Sequence, residues 1–136
     1  MKVARFLIRD DHPKKRYLTL PEIFAFSSNI GTAQMALDIG SDRQREFMDT
    51  LGLLVPAALE LPEVGAPMYP ASWRKVSTVT ISYGHGIAVS PVQLATSIAS
   101  VVNGGNYNAP TLVQANVEPQ SMRRVISAST SRQMRQ

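Results

Sequence analysis

A short polar segment between two apolar runs, Phe26-Ser27-Ser28-Asn29-Ile30-Gly31, holds the side chains best suited to chemistry. Its two hydroxyls and one carboxamide are short side chains that favour helix ends over helix interiors. On one continuous helix Ser27 and Asn29 would point about 200° apart, because successive residues turn roughly 100°. They share a cleft only if the helix breaks between them. We therefore predict a helix ending near Ser27 and another beginning near Asn29. Capping is the simplest role for the triplet taken alone.

Capping signals define the helices on both sides of this joint. Thr19-Leu20-Pro21-Glu22 is a capping box with proline in the first turn, which predicts a helix that runs to about Ser27. The next helix should run from about Asn29 to Ile39 and end at Gly40, burying one face composed of Ile30, Ala33, Ala36 and Leu37.

A second capping box, Ser41-Asp42-Arg43-Gln44, predicts a third helix after a tight corner. This helix should end at Gly52 and bury three apolar side chains: Phe47, Met48 and Leu51. Four prolines from Pro56 to Pro70 then exclude a long helix over residues 53–70 and indicate an extended connection.

The second half of the sequence predicts two further helices and some extended chain. Residues 73–82 fit a helix or a strand, and we favour a helix. Ser90-Pro91-Val92-Gln93 is a third capping box, and it opens a helix that we expect to be buried nearly all round and to stop at Gly104-Gly105. Extended segments should follow over 106–119, with a possible strand over 110–113, and Ser127 should cap a final helix.

Composition excludes several classes of protein. The 136 residues are enough for one domain, and 44% hydrophobic content argues against disorder. The net charge of +4 arises from basic residues near both ends, which indicates a solvated surface rather than nucleic-acid binding, since no groove-reading motif accompanies them. Cysteine is absent, and His12 and His85 lack the spacing of zinc ligands, so we expect neither a metal nor a cofactor. The sequence contains no signal peptide and no apolar run long enough to cross a bilayer.

Two stretches together resemble the transpeptidase domain of class B penicillin-binding proteins. Ser27-Ser28-Asn29 resembles the Ser-Xaa-Asn motif of that family at a helix–helix joint. The long block from Ser82 to Leu94-Ala95, followed by Asn103-Gly104-Gly105, resembles the glycine-rich turn and the helix after it. Within this block, Ser82-Tyr83-Gly84 is most similar to the cell-division (septal) branch. The resemblance covers about residues 18–136.

The other two motifs of the family have no counterpart in family order. Ser-Xaa-Xaa-Lys, which carries the nucleophile, should precede Ser27, and Lys-Thr-Gly should follow the helix after Ser127. Ser72-Trp73-Arg74-Lys75 matches the first pattern but lies downstream of Ser27, and we expect a surface segment with Trp73 packed inward. We therefore expect an internal piece of a catalytic domain that is inactive by itself.

The resemblance implies a fold and an organisation. The fold would be mainly α with minor β: the helical part of the α/β fold shared by penicillin-binding protein transpeptidases and serine β-lactamases, with most of the central sheet missing. Residues 1–17 would be an extended lead-in and basic loop, and residues 18–136 a partial transpeptidase domain. Because a helix that loses part of its covering exposes apolar surface, the piece could also form a homo-oligomer.

The resemblance also implies an activity and a location. The parent enzyme would cross-link peptidoglycan stem peptides ending in D-Ala-D-Ala, bind β-lactams, and associate with division proteins at the inner membrane, with its catalytic domain in the periplasm. Ser27 would relay a proton, and Asn29 would hold the substrate and the missing lysine.

Several alternatives remain open at this stage. A related serine D,D-carboxypeptidase or β-lactamase would share Ser27 and Asn29. A non-catalytic helical binding module would use the basic ends. Tyr83-Gly84-His85-Gly86 is either a wall of the cleft or, as we favour, a tight turn.

Overall fold

The computed structural model of the chain describes residues 1–113 and 123–136. Within these ranges the chain forms six helices and four very short strands, which confirms a mainly helical fold with minor β structure. The helices are α1 (Leu20–Ala25), α2 (Asn29–Ile39), α3 (Ser41–Thr50), α4 (Lys75–Ser82), α5 (Pro91–Val102) and α6 (Ala128–Gln133). The strands are β1 (Lys2–Val3), β2 (Phe6–Leu7), β3 (Asn106–Tyr107) and β4 (Arg123–Arg124).

The chain divides into two compact units. The first comprises residues 1–45 and 70–87, and the second comprises residues 46–69 and 88–136. No helix in the described ranges is long and apolar enough to cross a membrane.

The first unit is built around the contact of α2 with α4. Val3, Ile8, Ala33 and Val79 form its buried cluster, and the predicted buried face of α2 is confirmed by Ala33 and Ala36, which are 0% and 4% exposed. The chain from Lys2 to Leu7 forms the two short strands β1 and β2. It folds back as an antiparallel hairpin in which Lys2 pairs with Leu7, because Ala4 turns the chain at a φ of +52°.

The second unit contains α5, α6 and the antiparallel pair β3–β4, in which Asn106 pairs with Arg124. The capping box at Ser90 is confirmed, with Ser90 Oγ accepting from the Gln93 amide at 3.2 Å. The expectation that α5 is buried nearly all round is wrong. Its buried face is polar, comprising Gln93, Ser97 and Ser100, whereas its apolar side chains point outward, with Leu94 49% and Ile98 55% exposed.

Two predictions about α3 are also wrong. Ser41 does not cap this helix but forms its first turn, where its hydroxyl accepts a hydrogen bond from Thr78 Oγ1 at 2.7 Å. Gln44 is used for tertiary contacts: its Nε2 donates to the Thr78 carbonyl oxygen at 2.9 Å. Phe47 is 43% exposed rather than buried, although Leu51 is buried as expected.

The predicted strand over 110–113 is not formed, and the strand in this part of the chain is β3, immediately after the glycine pair. Residues 114–119 of the predicted extended segment lie outside the described residues. The division of the chain at residue 17 into a lead-in and a partial domain remains a prediction. Ser127 caps α6 as expected, accepting from the Thr130 amide at 3.0 Å.

Candidate active site

The helix break predicted at Ser27 is present. Helix α1 ends at Ala25 with Phe26 as its C-cap, and α2 begins at Asn29 with Ser28 as its N-cap. Ser27 lies between the two helices at a φ of +51°. This left-handed conformation is rare for residues other than glycine and costs of the order of 1 kcal/mol or more, so the surrounding contacts must hold it.

Ser28 is the buried centre of the joint, with 4% exposure. Its hydroxyl accepts from the Gly31 amide and donates to Asp10 Oδ2, both at 3.0 Å. The other oxygen of the same carboxylate, Asp10 Oδ1, accepts from the Ile30 amide at 2.8 Å. Ser28 is therefore both packed in the interior and the N-cap of the next helix.

Asn29 is half-buried, and one side of its carboxamide is held in place. Its Nδ2 donates to the Arg9 carbonyl oxygen at 3.2 Å. Because a carbonyl oxygen only accepts, nitrogen must be the atom that faces Arg9. Within the ranges 1–113 and 123–136, the second N–H of Asn29 donates no hydrogen bond and its Oδ1 atom accepts none.

A cavity of about 520 Å³ adjoins Asn29 in the first unit. Its apolar wall includes Val3, Ile8 and Val79, and its polar lining includes Arg9, Asn29, Thr80 and His85. Ser27 does not line this cavity, and its side chain is exposed. The structure thus assigns Asn29 to the concave surface and Ser27 to the solvent side of the same joint.

The segment Tyr83-Gly84-His85-Gly86 forms a tight turn at the end of α4. The Gly84 amide donates to the Ile81 carbonyl oxygen at 3.0 Å, and the His85 amide donates to the Thr80 carbonyl oxygen at 2.9 Å. Gly84 and Gly86 have φ values of +84° and +90°, which glycine adopts without strain. Tyr83, His85 and Gly86 also line the cavity beside Asn29, so the favoured turn is present and contributes to a concave wall.

An ion pair fixes the start of α1, the helix that leads into the joint. Arg16 Nη2 donates to Glu22 Oε1 at 2.6 Å, and Glu22 Oε2 accepts from the Thr19 amide at 2.9 Å, completing the predicted capping box. The hydrogen bond from Arg16, followed by those from Thr19, lowers the pKa of the Glu22 carboxyl to about 2.

The out-of-order pattern Ser72-Trp73-Arg74-Lys75 lies on the surface, as expected. Ser72 and Lys75 are exposed, and Ser72 Oγ accepts from Arg74 Nε at 3.2 Å. Trp73 is half-buried, with its Nε1 donating to Gln44 Oε1 at 3.1 Å. Nothing in this arrangement pairs the Ser72 hydroxyl with the Lys75 amine as a base. Within the described ranges no cluster of three or more His, Asp or Glu side chains is suited to a metal ion.

Sequence reasoning missed the contribution of Arg9 and Asp10. These residues precede the joint by about twenty positions, and no local pattern links them to it. Their contacts come from the tertiary fold, in which the chain leaving β2 runs beside the start of α2. The only available signal was a carboxylate suitable for a helix N-terminus, and the sequence does not say which helix it reaches.

Known proteins are similar to this chain over most of its length. Residues 4–136 match the family model described as the penicillin binding protein transpeptidase domain. A probable peptidoglycan D,D-transpeptidase FtsI from Caulobacter vibrioides is 39% identical over 135 residues, covering 98% of this chain and 23% of that protein. The peptidoglycan D,D-transpeptidase FtsI of Escherichia coli is 29% identical over 101 residues, covering 73% of this chain and 17% of that protein. The chain therefore spans about a quarter or less of the length of these curated relatives.

Solved structures are also similar to this chain over most of its length. A peptidoglycan glycosyltransferase from Burkholderia ambifaria superimposes with a TM-score of 0.80 at 26% identity, over 87% of this chain and 38% of that one. The transpeptidase domain of penicillin-binding protein 3 from Burkholderia pseudomallei gives a TM-score of 0.77 at 27% identity, over 87% of this chain and 37% of that one. This chain belongs to the penicillin-binding protein transpeptidase family.

Proposed function

We propose that this chain supplies the second active-site motif of a cell-wall D,D-transpeptidase, with Ser27 and Asn29 as its functional side chains. The observation that carries the proposal is the left-handed Ser27 between two helices, in a chain that matches the transpeptidase family over residues 4–136. Strain of this kind is common at functional sites. The names of the relatives from Caulobacter vibrioides and Escherichia coli support the same activity.

The proposed reaction is acyl transfer through a serine ester. The nucleophilic serine attacks the carbonyl carbon of the D-Ala-D-Ala peptide bond, an ester forms, and the terminal D-Ala leaves as its amine takes up a proton. The amine of a second stem peptide then attacks the ester and restores the serine. A β-lactam follows the first half of this path and remains attached. The nucleophile and the lysine that activates it would lie in sequence beyond these 136 residues, because the curated relatives are about four times as long.

Each side chain of the motif has a role that its geometry suits. The Ser27 hydroxyl is exposed and rotatable, so it is able to pass a proton from the lysine to the leaving amine. Asn29 uses one N–H on the Arg9 carbonyl oxygen and keeps its second N–H and its Oδ1 for ligands. The N–H suits a substrate carbonyl and the oxygen suits the lysine ammonium.

We also propose the setting of the parent protein from its family. It would act at the bacterial inner membrane with its catalytic domain in the periplasm, and within a division complex, because Ser82-Tyr83-Gly84 resembles the septal branch. No cofactor or metal enters the proposed chemistry.

Labelling with a fluorescent penicillin tests the proposal. The full-length protein that contains this chain should give a covalently labelled band on a denaturing gel, and the 136-residue chain alone should not. A Ser72→Ala variant of the full-length protein serves as a matched control and should label normally. Labelling of the 136-residue chain, or loss of labelling in Ser72→Ala, would place the nucleophile inside this sequence and contradict the proposal.

The same assay separates the alternatives. A D,D-carboxypeptidase or β-lactamase would label and then lose the label quickly to water, so the deacylation rate distinguishes these enzymes from a transpeptidase. A non-catalytic binding module would not label at all. It would instead form a salt-sensitive complex with nucleic acid or anionic lipid through its basic ends.

A further inference from the structure

We infer that Asp10 is a positioning residue for the Ser27–Asn29 motif, acting through Ser28 and the first turn of α2. The inference rests on the proposed function for its consequence in catalysis, whereas the contact itself is a property of the structure. It assigns a role to a residue outside the three motifs of the family and about twenty positions from the serine that it serves.

The carboxylate of Asp10 links the side chain of the cap to the backbone of the helix. Oδ2 accepts from the Ser28 hydroxyl at 3.0 Å, and Oδ1 accepts from the Ile30 amide at 2.8 Å. The Ser28 oxygen also accepts from the Gly31 amide, so this hydroxyl acts as a donor and as an acceptor at the same time. Backbone N–H groups in the first turn of a helix have no partner within the helix. At the start of α2, the Ile30 N–H is hydrogen-bonded by Asp10 and the Gly31 N–H by Ser28.

The neighbouring peptide group acts on the other side of the motif. The Arg9 carbonyl oxygen, directly before Asp10, accepts from Asn29 Nδ2 at 3.2 Å. The Arg9–Asp10 segment thus contacts Ser28, Asn29 and Ile30 together. A displacement of this segment would move the cap and release the Asn29 carboxamide in one step.

Ser27 is the residue that depends most on this arrangement. Its φ of +51° is unfavourable for a residue with a side chain, and the next residue in the chain is the one that Asp10 holds. If the Asp10 contact is lost, the joint is free to relax toward an ordinary helix end, and the Ser27 hydroxyl would move. Displacements of about 1 Å at a reacting group lower rates by up to about 100-fold.

The test compares two neighbouring carboxylates in the full-length protein. Asp10→Asn keeps the shape but replaces one acceptor oxygen by an NH₂ group that faces a donor. Asp11→Asn removes the same charge from an adjacent side chain that is 93% exposed. Penicillin acylation, measured over a range of concentrations, separates the first-order acylation constant from the non-covalent dissociation constant.

Asp10→Asn should lower the acylation constant about ten-fold at a temperature where circular dichroism shows the protein to be folded, and Asp11→Asn should remain within about two-fold. Asp10→Glu, which keeps a carboxylate, should recover part of the loss. Combining Asp10→Asn with Ser28→Ala should cost less than the sum of the two single losses, because the two substitutions share the contact between Asp10 and Ser28. A folded Asp10→Asn protein that acylates as fast as the unsubstituted one, or an equal loss in Asp11→Asn, would overturn the inference.

Hydrogen exchange tests the contact independently of activity. In Asp10→Asn the amides of Ile30 and Gly31 should exchange faster, while in Asp11→Asn they should not. If the unsubstituted protein is not labelled by penicillin, the proposed function fails and exchange alone decides the structural part. Unchanged exchange at both amides in Asp10→Asn would contradict the positioning role.

Discussion

The α1–α2 joint and the start of helix α5 have the same kind of N-cap but differ in the residues that surround it. Each has a serine N-cap: Ser28 accepts from the Gly31 amide, and Ser90 accepts from the Gln93 amide. Ser28 is buried and also bonded to Asp10, so the joint is closed by residues that lie far away in sequence. Helix α5 turns Leu94 and Ile98 outward. A capping signal therefore locates the start of a helix, but the tertiary partners decide which of its faces is covered.

The largest expected effect on stability lies just beyond the end of α5. A Cβ at Gly105 would meet the Ile126 carbonyl oxygen at 2.1 Å, and Gly105 has a φ of +90°. Gly105→Ala should therefore lower the free energy of unfolding by about 4 kcal/mol. Gly104→Ala shares the positive φ of +99° but has 3.8 Å of clearance to the Asn106 side chain, and it should cost only about 1 to 2 kcal/mol. Urea denaturation measures both, and equal losses would show that close packing at Gly105 is unimportant.

The two caps should differ in a smaller but measurable way. Ser28→Ala removes a cap and also leaves a half-buried Asp10 carboxylate with one donor fewer, so we expect a loss of about 2 kcal/mol. Ser90→Ala should cost about 1 kcal/mol, because Gln93 Oε1 still accepts from the residue-90 amide, as it does now at 2.9 Å. Urea denaturation of both variants gives the comparison. If Ser90→Ala lost more free energy of unfolding than Ser28→Ala, the cap at the α1–α2 joint would not be the more important of the two.

The outward face of α5 should affect association more than folding. We expect the 136-residue chain to self-associate at high concentration through exposed apolar surface that includes Leu94 and Ile98. Leu94→Gln with Ile98→Gln should weaken this association in sedimentation velocity and change the free energy of unfolding by only about 0.5 kcal/mol. Ile39→Gln, at a side chain that is 52% exposed on α2, is the control and should leave association unchanged. A strictly monomeric unsubstituted chain would contradict the prediction.

The smallest effect concerns the ion pair at the start of α1. The folded pKa of Glu22 is about 2, below the ordinary 4.5. The pairing therefore stabilises the fold fully above about pH 4.5, and this contribution is lost as the pH falls toward 2. Glu22→Gln should flatten the pH dependence of stability in that window only slightly, since an exposed pair contributes little. Glu63→Gln, the same change on an exposed loop, is the control. An identical pH profile for both variants would contradict a role for the pair.

Local signals predicted much of the fold. The capping boxes at Thr19 and Ser90 and the cap at Ser127 are each completed within three residues, so they were visible in the sequence. The break at Ser27 was predicted in the same way, from short polar side chains between apolar runs. The left-handed backbone conformation of Ser27 was not predicted, because this conformation is expected for glycine and rarely for serine.

What the sequence did not predict depends on distant partners. Gln44 matched a capping pattern, but its carboxamide bonds to α4 instead, at the Thr78 carbonyl oxygen. Leu94 and Ile98 of α5 are exposed because no other part of the described chain covers them, and the order of residues within the helix does not predict this. In the candidate site, Asn29 was predicted and now adjoins a cavity, whereas Asp10 was missed because its contacts span about twenty residues.

If Ser27 and Asn29 form a catalytic motif rather than two helix caps, removing the Ser27 hydroxyl should slow acylation. The most direct measurement is the penicillin acylation constant of Ser27→Ala in the full-length protein, compared with that of Ser72→Ala. The proposed role predicts a loss of about 100-fold for Ser27→Ala and none for Ser72→Ala, because only the first removes the proton relay. A folded Ser27→Ala protein that acylates as fast as the unsubstituted one would reduce the joint to a structural break between two helices.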